Sequence, residues 1–268
     1  MLRKPAVAGR FYPSQPEELR KTLQELIDPT RERRQVIGIV VPHAGYMYSG
    51  HVAGAVYSRI AIPSHVIVLC PNHTGMGPPL SIMPRGAWET PLGNLEIDGD
   101  LGSALMAADA DLSDDAEAHR LEHATEVQLP FLQVLADPNV RFVPVTVGTG
   151  NFDSLVRLGQ AMAKVLGQTE SSALIVASSD MNHYESDRVT RIKDQKAIDQ
   201  VLALDPEGLF DTVERENISM CGYGPTVAML VAARLLGACK SEMVRYATSG
   251  EVSGDFDRVV GYAGMMVY

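Results

Sequence analysis

QVIGIVVPHAGYMYSG, residues 35–50, contains the segment that decides the fold. Its apolar run, VIGIVV (36–41), is continuous rather than alternating, which is typical of a strand buried on both faces. Three more runs share this character: HVIVLC (65–70), VRFVPVTV (140–147) and SALIVASS (172–179). Strands of this kind indicate a largely parallel sheet that is covered by helices.

Segments of helical length alternate with these strands. Their apolar residues recur at intervals of three and four, as on the buried face of a helix. They are HVAGAVYSRI (51–60), DLGSALMAADA (100–110), EVQLPFLQVLA (126–136), NFDSLVRLGQAMAKVL (151–166) and DRVTRIKDQKAIDQVLAL (187–204). The order predicts one α/β domain over residues 1–268, an α/β/α sandwich with a mixed, largely parallel central sheet.

Two stretches depart from the alternation. LSIMPRGAWETPLGNLEI (80–97) has the pattern of a hairpin, and the C-terminal DRVVGYAGMMVY has that of a last strand. We expect both to add antiparallel strands at an edge of the sheet.

Composition excludes several classes of function. The net charge is -10 with both signs mixed along the chain, which argues against a nucleic-acid partner because phosphate binding needs a basic surface. No run approaches the roughly 20 apolar residues of a membrane helix, and the first residues lack the apolar centre of a secretory signal. We therefore expect a cytoplasmic protein with no membrane partner.

Three cysteines, an odd number without paired spacing, do not predict a disulfide framework. Cys70 ends an apolar run and Cys239 follows a helical stretch, so both are expected to be small buried residues. Cys221 lies in the loop MCGYGP, before the helix-like run TVAMLVAARLL. A thiol near a helix N-terminus is expected to have a lowered pKa.

Histidines follow three of the predicted strands. His43 follows VIGIVV, His73 follows HVIVLC after Asn72, and His183 follows ALIVASS after Asp180. Ligands of open α/β sheets bind beyond the carboxyl ends of the strands. Random placement of seven histidines would seldom produce this pattern, so we expect one shared site.

A transition metal suits such a site better than acid/base catalysis alone. Neutral imidazole is the commonest ligand of these metals, and two histidines from separate strands with a third donor leave positions open for substrate. The residues alone leave the third donor undecided between Asp180, Glu126, the other histidines and Cys221. Tyr46 and Tyr48, on the turn after His43, are expected at the mouth.

EHATEVQLPFLQ, residues 122–133, forms a second polar cluster at the start of a predicted helix. His123 and Glu126 share a helix face, with Gln128 close by, and all three are candidates to orient metal ligands by hydrogen bonds. The remaining histidines are expected at a helix start, a strand start and a loop surface, in that order: His51, His65 and His119.

Six motifs in this order resemble the Memo family, whose prokaryotic members are called AmmeMemoRadiSam system protein B. They are RKPAVAGRFYP, VPHAGYMYSGHVAGAVY, PNHTGMG, EHATEVQLPFLQ, SSDMNHY and CGYGP, and they extend from residue 3 to residue 225. The resemblance implies the fold of the LigB-like class III extradiol dioxygenases, in which two histidines and a glutamate hold Fe(II) and another histidine is the acid/base.

Carried over by motif, the resemblance implies that His43 and His73 are metal ligands and that His183 is the acid/base, with Asp180 beside it. Cys221 occupies the place of the dioxygenase carboxylate. A thiolate is a softer ligand, which favours copper or zinc, while iron remains compatible with the site. Ring cleavage is therefore not expected to carry over.

Three functions follow from these residues and the resemblance. The first is metal-dependent redox chemistry with copper or iron, in which His183, oriented by Asp180, moves protons for a substrate bound in the open positions. The second is a peptide- or protein-binding module that uses the same pocket without turnover, and the resemblance implies AMMECR1-like and radical-SAM partners. The third is thiol chemistry, with Cys221 as nucleophile and His183 or His43 as its base.

Overall fold

A computed structural model, which describes residues 1–168 and 172–268, has the predicted α/β class, with helices on both sides of a mixed, largely parallel sheet. The strands are β1 Leu2–Arg3, β2 Gly38–Val41, β3 His65–Pro71, β4 Leu80–Ile82, β5 Ala87–Thr90, β6 Gly93–Glu96, β7 Ser113–Asp114, β8 Arg141–Val147, β9 Ala173–Ser178, β10 His183–Glu185, β11 Ser241–Thr248 and β12 Val259–Val267. The helices are α1 Pro16–Leu26, α2 His51–Tyr57, α3 Gly99–Ala108, α4 Glu117–Arg120, α5 Leu129–Leu135, α6 Phe152–Leu166, α7 Asp187–Leu202, α8 Pro206–Arg215, α9 Tyr223–Leu235 and α10 Gly250–Ser253.

The centre of the main sheet is parallel and has the order β2-β9-β3-β8. These four strands are the four apolar runs predicted from the sequence. Alternate residues point to opposite faces, so Val40 and Ile67 pack in the core on one side while Ile39 and Val66 pack on the other. Burial on both faces explains why the runs are continuously apolar.

The predicted antiparallel additions are present, but their positions differ from the expectation. β4 pairs with β8 in the main sheet, whereas the hairpin of β5 and β6 joins β1 in a separate small sheet. β12 is not an edge strand, because it pairs with β2 and also with β10 and β11. Its nine residues are almost all buried, as an internal position requires.

The five predicted helices are present with shifted ends. The segment 51–60 is preceded by a π-helical turn over residues 46–50 and ends at Tyr57, and the segment 126–136 begins with a 3-10 turn. Helices α1 and α8 add to the prediction. Among the described residues, every helix is too short or too polar to cross a membrane.

The N-terminal segment is fastened to the domain by one buried carboxylate. Glu126 pairs with the guanidinium of Arg3 and accepts hydrogen bonds from the backbone N–H groups of Ala6 (2.8 Å) and Val7 (3.1 Å) and from the hydroxyl of Tyr12 (2.6 Å). Both charged side chains are almost fully buried. Removing either partner would leave the other charge buried and unpaired.

We predict that Glu126→Ala lowers the free energy of unfolding by about 3–5 kcal/mol, because it leaves Arg3 as an uncompensated buried charge. The matched control is Glu89→Ala, which breaks the neighbouring but exposed pair with Lys4 and should cost about 1 kcal/mol or less. Urea denaturation of both variants measures the difference. Equal losses in the free energy of unfolding would show that the Arg3–Glu126 pair contributes no more than an exposed ion pair.

Candidate metal site

Three histidine rings meet beyond the carboxyl ends of the central strands. The ring centroids of His43 and His73 are 5.1 Å apart, and those of His73 and His123 are 4.6 Å apart in a stacked pair. His43 and His123 are separated by 5.4 Å. One ring nitrogen from each of the three lies within 4.8 Å of the others, a spacing that could hold a metal ion.

His43 is fixed by a buried hydroxyl at the end of β9. Its Nδ1 lies 3.0 Å from Oγ of Ser178, which donates its single proton to the carbonyl of Ala124 (2.7 Å) and accepts a hydrogen bond from the amide of Gln128 (2.9 Å). Because that proton is already used, Nδ1 of His43 must donate. Its Nε2 is therefore the nitrogen with a free lone pair.

His73 is fixed by Glu122, whose side chain is fully buried. The carboxylate accepts from the backbone N–H of His73 (2.7 Å) and lies 2.9 Å from its Nδ1, and it also lies 3.4 Å from Nδ1 of His123. Nε2 of both rings is thus left for a ligand. Sequence reasoning missed Glu122, although it directly precedes His123 in the motif EHATE.

Burial keeps two of the rings neutral. Desolvation, reinforced by neighbouring rings, lowers the pKa of His43 to about 3 and that of His123 to about 4. Burial also opposes protonation of His73, but its hydrogen bond and charge interaction with Glu122 outweigh this and raise its pKa. Neutral imidazoles are the form that binds transition metals.

Cys221 lies beside this group. Its Sγ is 3.2 Å from Nε2 of His43 and accepts a hydrogen bond from the backbone N–H of Asp180 (3.3 Å). Contrary to the expectation of an acidic thiol, burial and the nearby Asp180 carboxylate raise the pKa of Cys221 well above the ordinary value. The cost of desolvating a thiolate is the largest cause of this shift.

Asp180 lies in the connection after β9, and His183 begins β10. Asp180 accepts a hydrogen bond from the backbone N–H of His43 (2.8 Å), and burial raises its pKa. The Nδ1 of His183 lies 2.8 Å from the backbone carbonyl of Ser219, and the ring interacts electrostatically with His43 and Asp180. Since a carbonyl only accepts, Nδ1 of His183 carries the proton and its Nε2 is free.

The N-terminal segment supplies a wall of the site. The ring of Phe11 packs 4.8 Å from that of His123, and the carbonyl of Phe11 accepts from the backbone N–H of Tyr46 (2.7 Å). The Glu126 anchor therefore supports this wall rather than contacting the histidines. The expected position of Glu126 beside the metal ligands is wrong. Glu126 is buried because it binds Arg3 and the N-terminal segment.

Other predicted residues lie elsewhere. Tyr46 is buried in the core and donates its hydroxyl hydrogen bond to Val127 (2.7 Å), so it does not line the mouth. Tyr48 packs with the small cluster that contains Tyr262. Asn72 orders the turn after His73 through hydrogen bonds to Met76, Thr74 and Gly75.

Two further expectations are wrong. His119 is fully buried rather than on a loop surface, and its Nδ1 lies 3.0 Å from the hydroxyl of Thr146. Cys239 is exposed because it lies in the connection after α9, whereas Cys70 is buried as expected. His51 and His65 do begin α2 and β3.

Comparison with known proteins agrees with the motifs. Residues 3–266 match the family described as Memo-like protein. MEMO1 family proteins of Methanopyrus kandleri and Methanothermobacter thermautotrophicus are 43% and 41% identical; the alignments cover 99% and 98% of this chain, and 99% of each relative. An uncharacterized protein from Escherichia coli K12 has a similar structure, with a TM-score of 0.56 at 9% identity over 86% of this chain and 99% of that one.

The class that the fold defines is thus an α/β protein with a histidine-lined site at the carboxyl edge of its sheet. The chain belongs to the Memo family. The resemblance inferred from the six motifs is confirmed, and the distant structural likeness supports the fold alone.

The Glu122–His73 pair predicts a pH window of added stability. The pKa of Glu122 is lowered from 4.5 to about 2 even though burial alone would raise it, so its contribution is lost as the pH falls below 4.5. The raised pKa of His73 gives a contribution that is present below 6.5 and lost as the pH rises through the folded value. The pair therefore stabilises most between these limits.

We predict that Glu122→Gln in the metal-free protein costs up to about 3 kcal/mol near pH 5.5 and less near pH 8.5. Urea denaturation at both pH values measures it. The control is Glu117→Gln, which removes a surface pair with Arg120 and should have little effect at either pH. A loss at Glu122 that does not change with pH would contradict the assignment.

Cysteine alkylation tests the protonation of Cys221. We predict that iodoacetamide labels the exposed Cys239 quickly in metal-free protein at neutral pH. The labelling rate of Cys221 should be lower by a factor of about ten or more, because the thiolate is the reactive form and its pKa is raised. Peptide mass spectrometry resolves the three sites, with Cys70 as the buried reference and urea-unfolded protein as the upper limit. Equal labelling of Cys221 and Cys239 would favour thiol chemistry.

Proposed function

We propose that this Memo-family protein binds one transition-metal ion, copper or iron, and uses it in redox chemistry. The observation that carries the proposal is the His43, His73 and His123 group, with nitrogens within 4.8 Å of one another. The family resemblance had implied Cys221 as the third ligand, and His123 was a candidate to orient the ligands by hydrogen bonds. The proposed set has three imidazoles with Cys221 beside them.

The donor chemistry fits this class of metal. Each ring has its Nδ1 engaged or facing a carboxylate, which leaves the three Nε2 atoms for the ion. The sulfur of Cys221 is 3.2 Å from Nε2 of His43, close to the ~3.5 Å that separates nitrogen and sulfur donors to one tetrahedral ion. Zinc also accepts these donors, although it would supply no redox chemistry.

The chain's own groups would perform three tasks in such a site. Glu122 and Ser178 orient the rings of His73 and His43, and the free Nε2 of His183 would accept a proton from a bound substrate. Asp180 holds the turn at His43 by accepting a hydrogen bond from the backbone N–H of His43. A bound copper or iron ion would supply electron transfer and Lewis acidity.

We predict that tag-free wild-type protein binds one equivalent of Cu(I) or Fe(II) under reducing conditions. His43→Ala, His73→Ala and His123→Ala should each weaken binding by more than about tenfold, because each removes a ligand. Equilibrium dialysis followed by elemental analysis measures this. The matched control, His65→Ala, removes a histidine at the start of β3 and should leave binding unchanged.

Wild-type protein that binds neither metal, or histidine variants that bind it as tightly as wild type, would refute the proposal. Cys221→Ser, measured in the same way, decides the role of the sulfur. A loss as large as that of His123→Ala makes Cys221 a ligand, whereas unchanged binding leaves a three-histidine site.

A second candidate is a non-catalytic module that binds a peptide or a partner protein. The observation that favours it is the exposure of Met47 (70%) and Tyr184 (65%), which lie in sequence beside the turns that carry His43 and His183. AMMECR1-like and radical-SAM proteins remain proposed partners on the family resemblance. Co-purification that survives His183→Ala and Met47→Ser alike would argue against partner binding through these residues.

A further inference from the structure

Asn182, the residue before His183, is fully buried and uses all of its polar groups. Its Oδ1 accepts from both the backbone N–H and the hydroxyl of Ser219, each at 3.1 Å, while its Nδ2 donates to the carboxylate of Glu185 (2.6 Å). A backbone N–H can only donate and a carboxylate can only accept, so the orientation of the amide is determined. Asn182 therefore clamps Ser219 in one position.

Ser219 in turn holds His183 at two points. The hydroxyl accepts from the backbone N–H of His183 (2.8 Å), and the backbone carbonyl accepts from its Nδ1–H (2.8 Å). The first contact fixes the backbone position of His183, and the second fixes the orientation of its ring. Together they leave one tautomer in which Nε2 has no proton.

The clamp is anchored to the domain by Asp194 of α7, which is also fully buried. Its Oδ1 accepts from the backbone N–H of Asn182 (2.9 Å) and its Oδ2 accepts from the hydroxyl of Tyr246 (2.6 Å). Gly261 of β12 donates to the carbonyl of Asn182 (2.9 Å) and approaches so closely that a Cβ there would lie 1.8 Å from Asp194. The Asn182 backbone is thus held from both sides.

We propose that Asn182 and Ser219 are positioning residues that hold His183 as a ready base, with Nδ1 protonated and Nε2 free, and that Asp194 anchors them. This inference rests on the proposed function, in which His183 moves protons. It assigns a purpose to three polar residues that contact none of the three imidazole ligands in the described hydrogen bonds. Buried polar groups that are fully satisfied favour one arrangement of the group they hold.

The test is the tautomer of His183 in metal-free protein labelled with ¹⁵N-histidine. Long-range ¹H–¹⁵N spectra, recorded at a pH well above the ordinary histidine pKa, report which ring nitrogen carries the proton. Signals absent from His183→Gln identify the ring. Wild type should show Nδ1 protonated. Ser219→Ala should raise the fraction of His183 with Nε2 protonated about fivefold. The variant loses the hydroxyl's hydrogen bonds with Asn182 and with the backbone N–H of His183, which position the Ser219 carbonyl against the ring.

Ser219→Thr keeps the hydroxyl and should restore the wild-type tautomer. Ser241→Ala removes a serine hydroxyl that donates to Leu202 outside the site and should leave His183 unchanged. Ser219 is exposed, so its alanine variant is expected to fold, which the remaining amide signals verify. A wild-type ring protonated on Nε2, or folded Ser219→Ala with an unchanged tautomer, would overturn the inference.

Failure of this inference is distinguishable from failure of the proposed function. The spectra are recorded without metal, so a protein that binds no metal could still show a fixed His183 tautomer. A protein that binds metal through its three imidazoles with a freely exchanging His183 tautomer would keep the metal site and exclude the positioning role.

Discussion

The parallel pairing of β2 with β9 is the constraint on which the site depends. Its register puts Val41 beside Ser178, so the turn that carries His43 leaves the sheet next to the loop that carries Asp180. β3 pairs with the other side of β9 and brings the His73 turn to the same edge. The backbone hydrogen bonds of the sheet thus bring the site's turns together, whatever side chains those turns carry.

Burial then divides the roles of similar residues. His43 and His73 have the same ionisable group, but burial, reinforced by the neighbouring imidazoles, keeps the first neutral, while the buried carboxylate of Glu122 favours the proton on the second. Cys221 follows the same rule, because burial and the nearby Asp180 disfavour its thiolate. A metal ion is the kind of cation that would reverse this preference.

The sequence predicted the sheet and the strand-end histidines because both depend on local pattern. Continuous apolar runs identify buried strands, and the residue after each strand must lie at the same edge, as His43 and His73 do. The position of β12 inside the sheet depends on long-range pairing and has no local signature. Helix α1 was missed because it buries only a thin stripe of Leu19 and Leu23, with charged residues elsewhere.

Side-chain partners were harder to predict than side-chain positions. Glu122 and Glu126 lie four residues apart in the same motif, and composition gives no reason to prefer either as the carboxylate beside the imidazoles. The difference arises from Arg3, more than a hundred residues away in the chain. Its guanidinium pairs with the carboxylate of Glu126, whereas it donates only to the backbone carbonyl of Glu122. Such a choice becomes visible only when the chain is folded.

The way Glu126 grips the N-terminal segment has an evolutionary consequence. Two of its hydrogen bonds go to main-chain amides, at Ala6 and Val7, which every amino acid except proline provides. Drift in the side chains at these two positions can therefore proceed without loosening the wall that Phe11 forms against His123. Selection would act instead on Arg3, Tyr12 and Glu126, whose side chains make the remaining bonds.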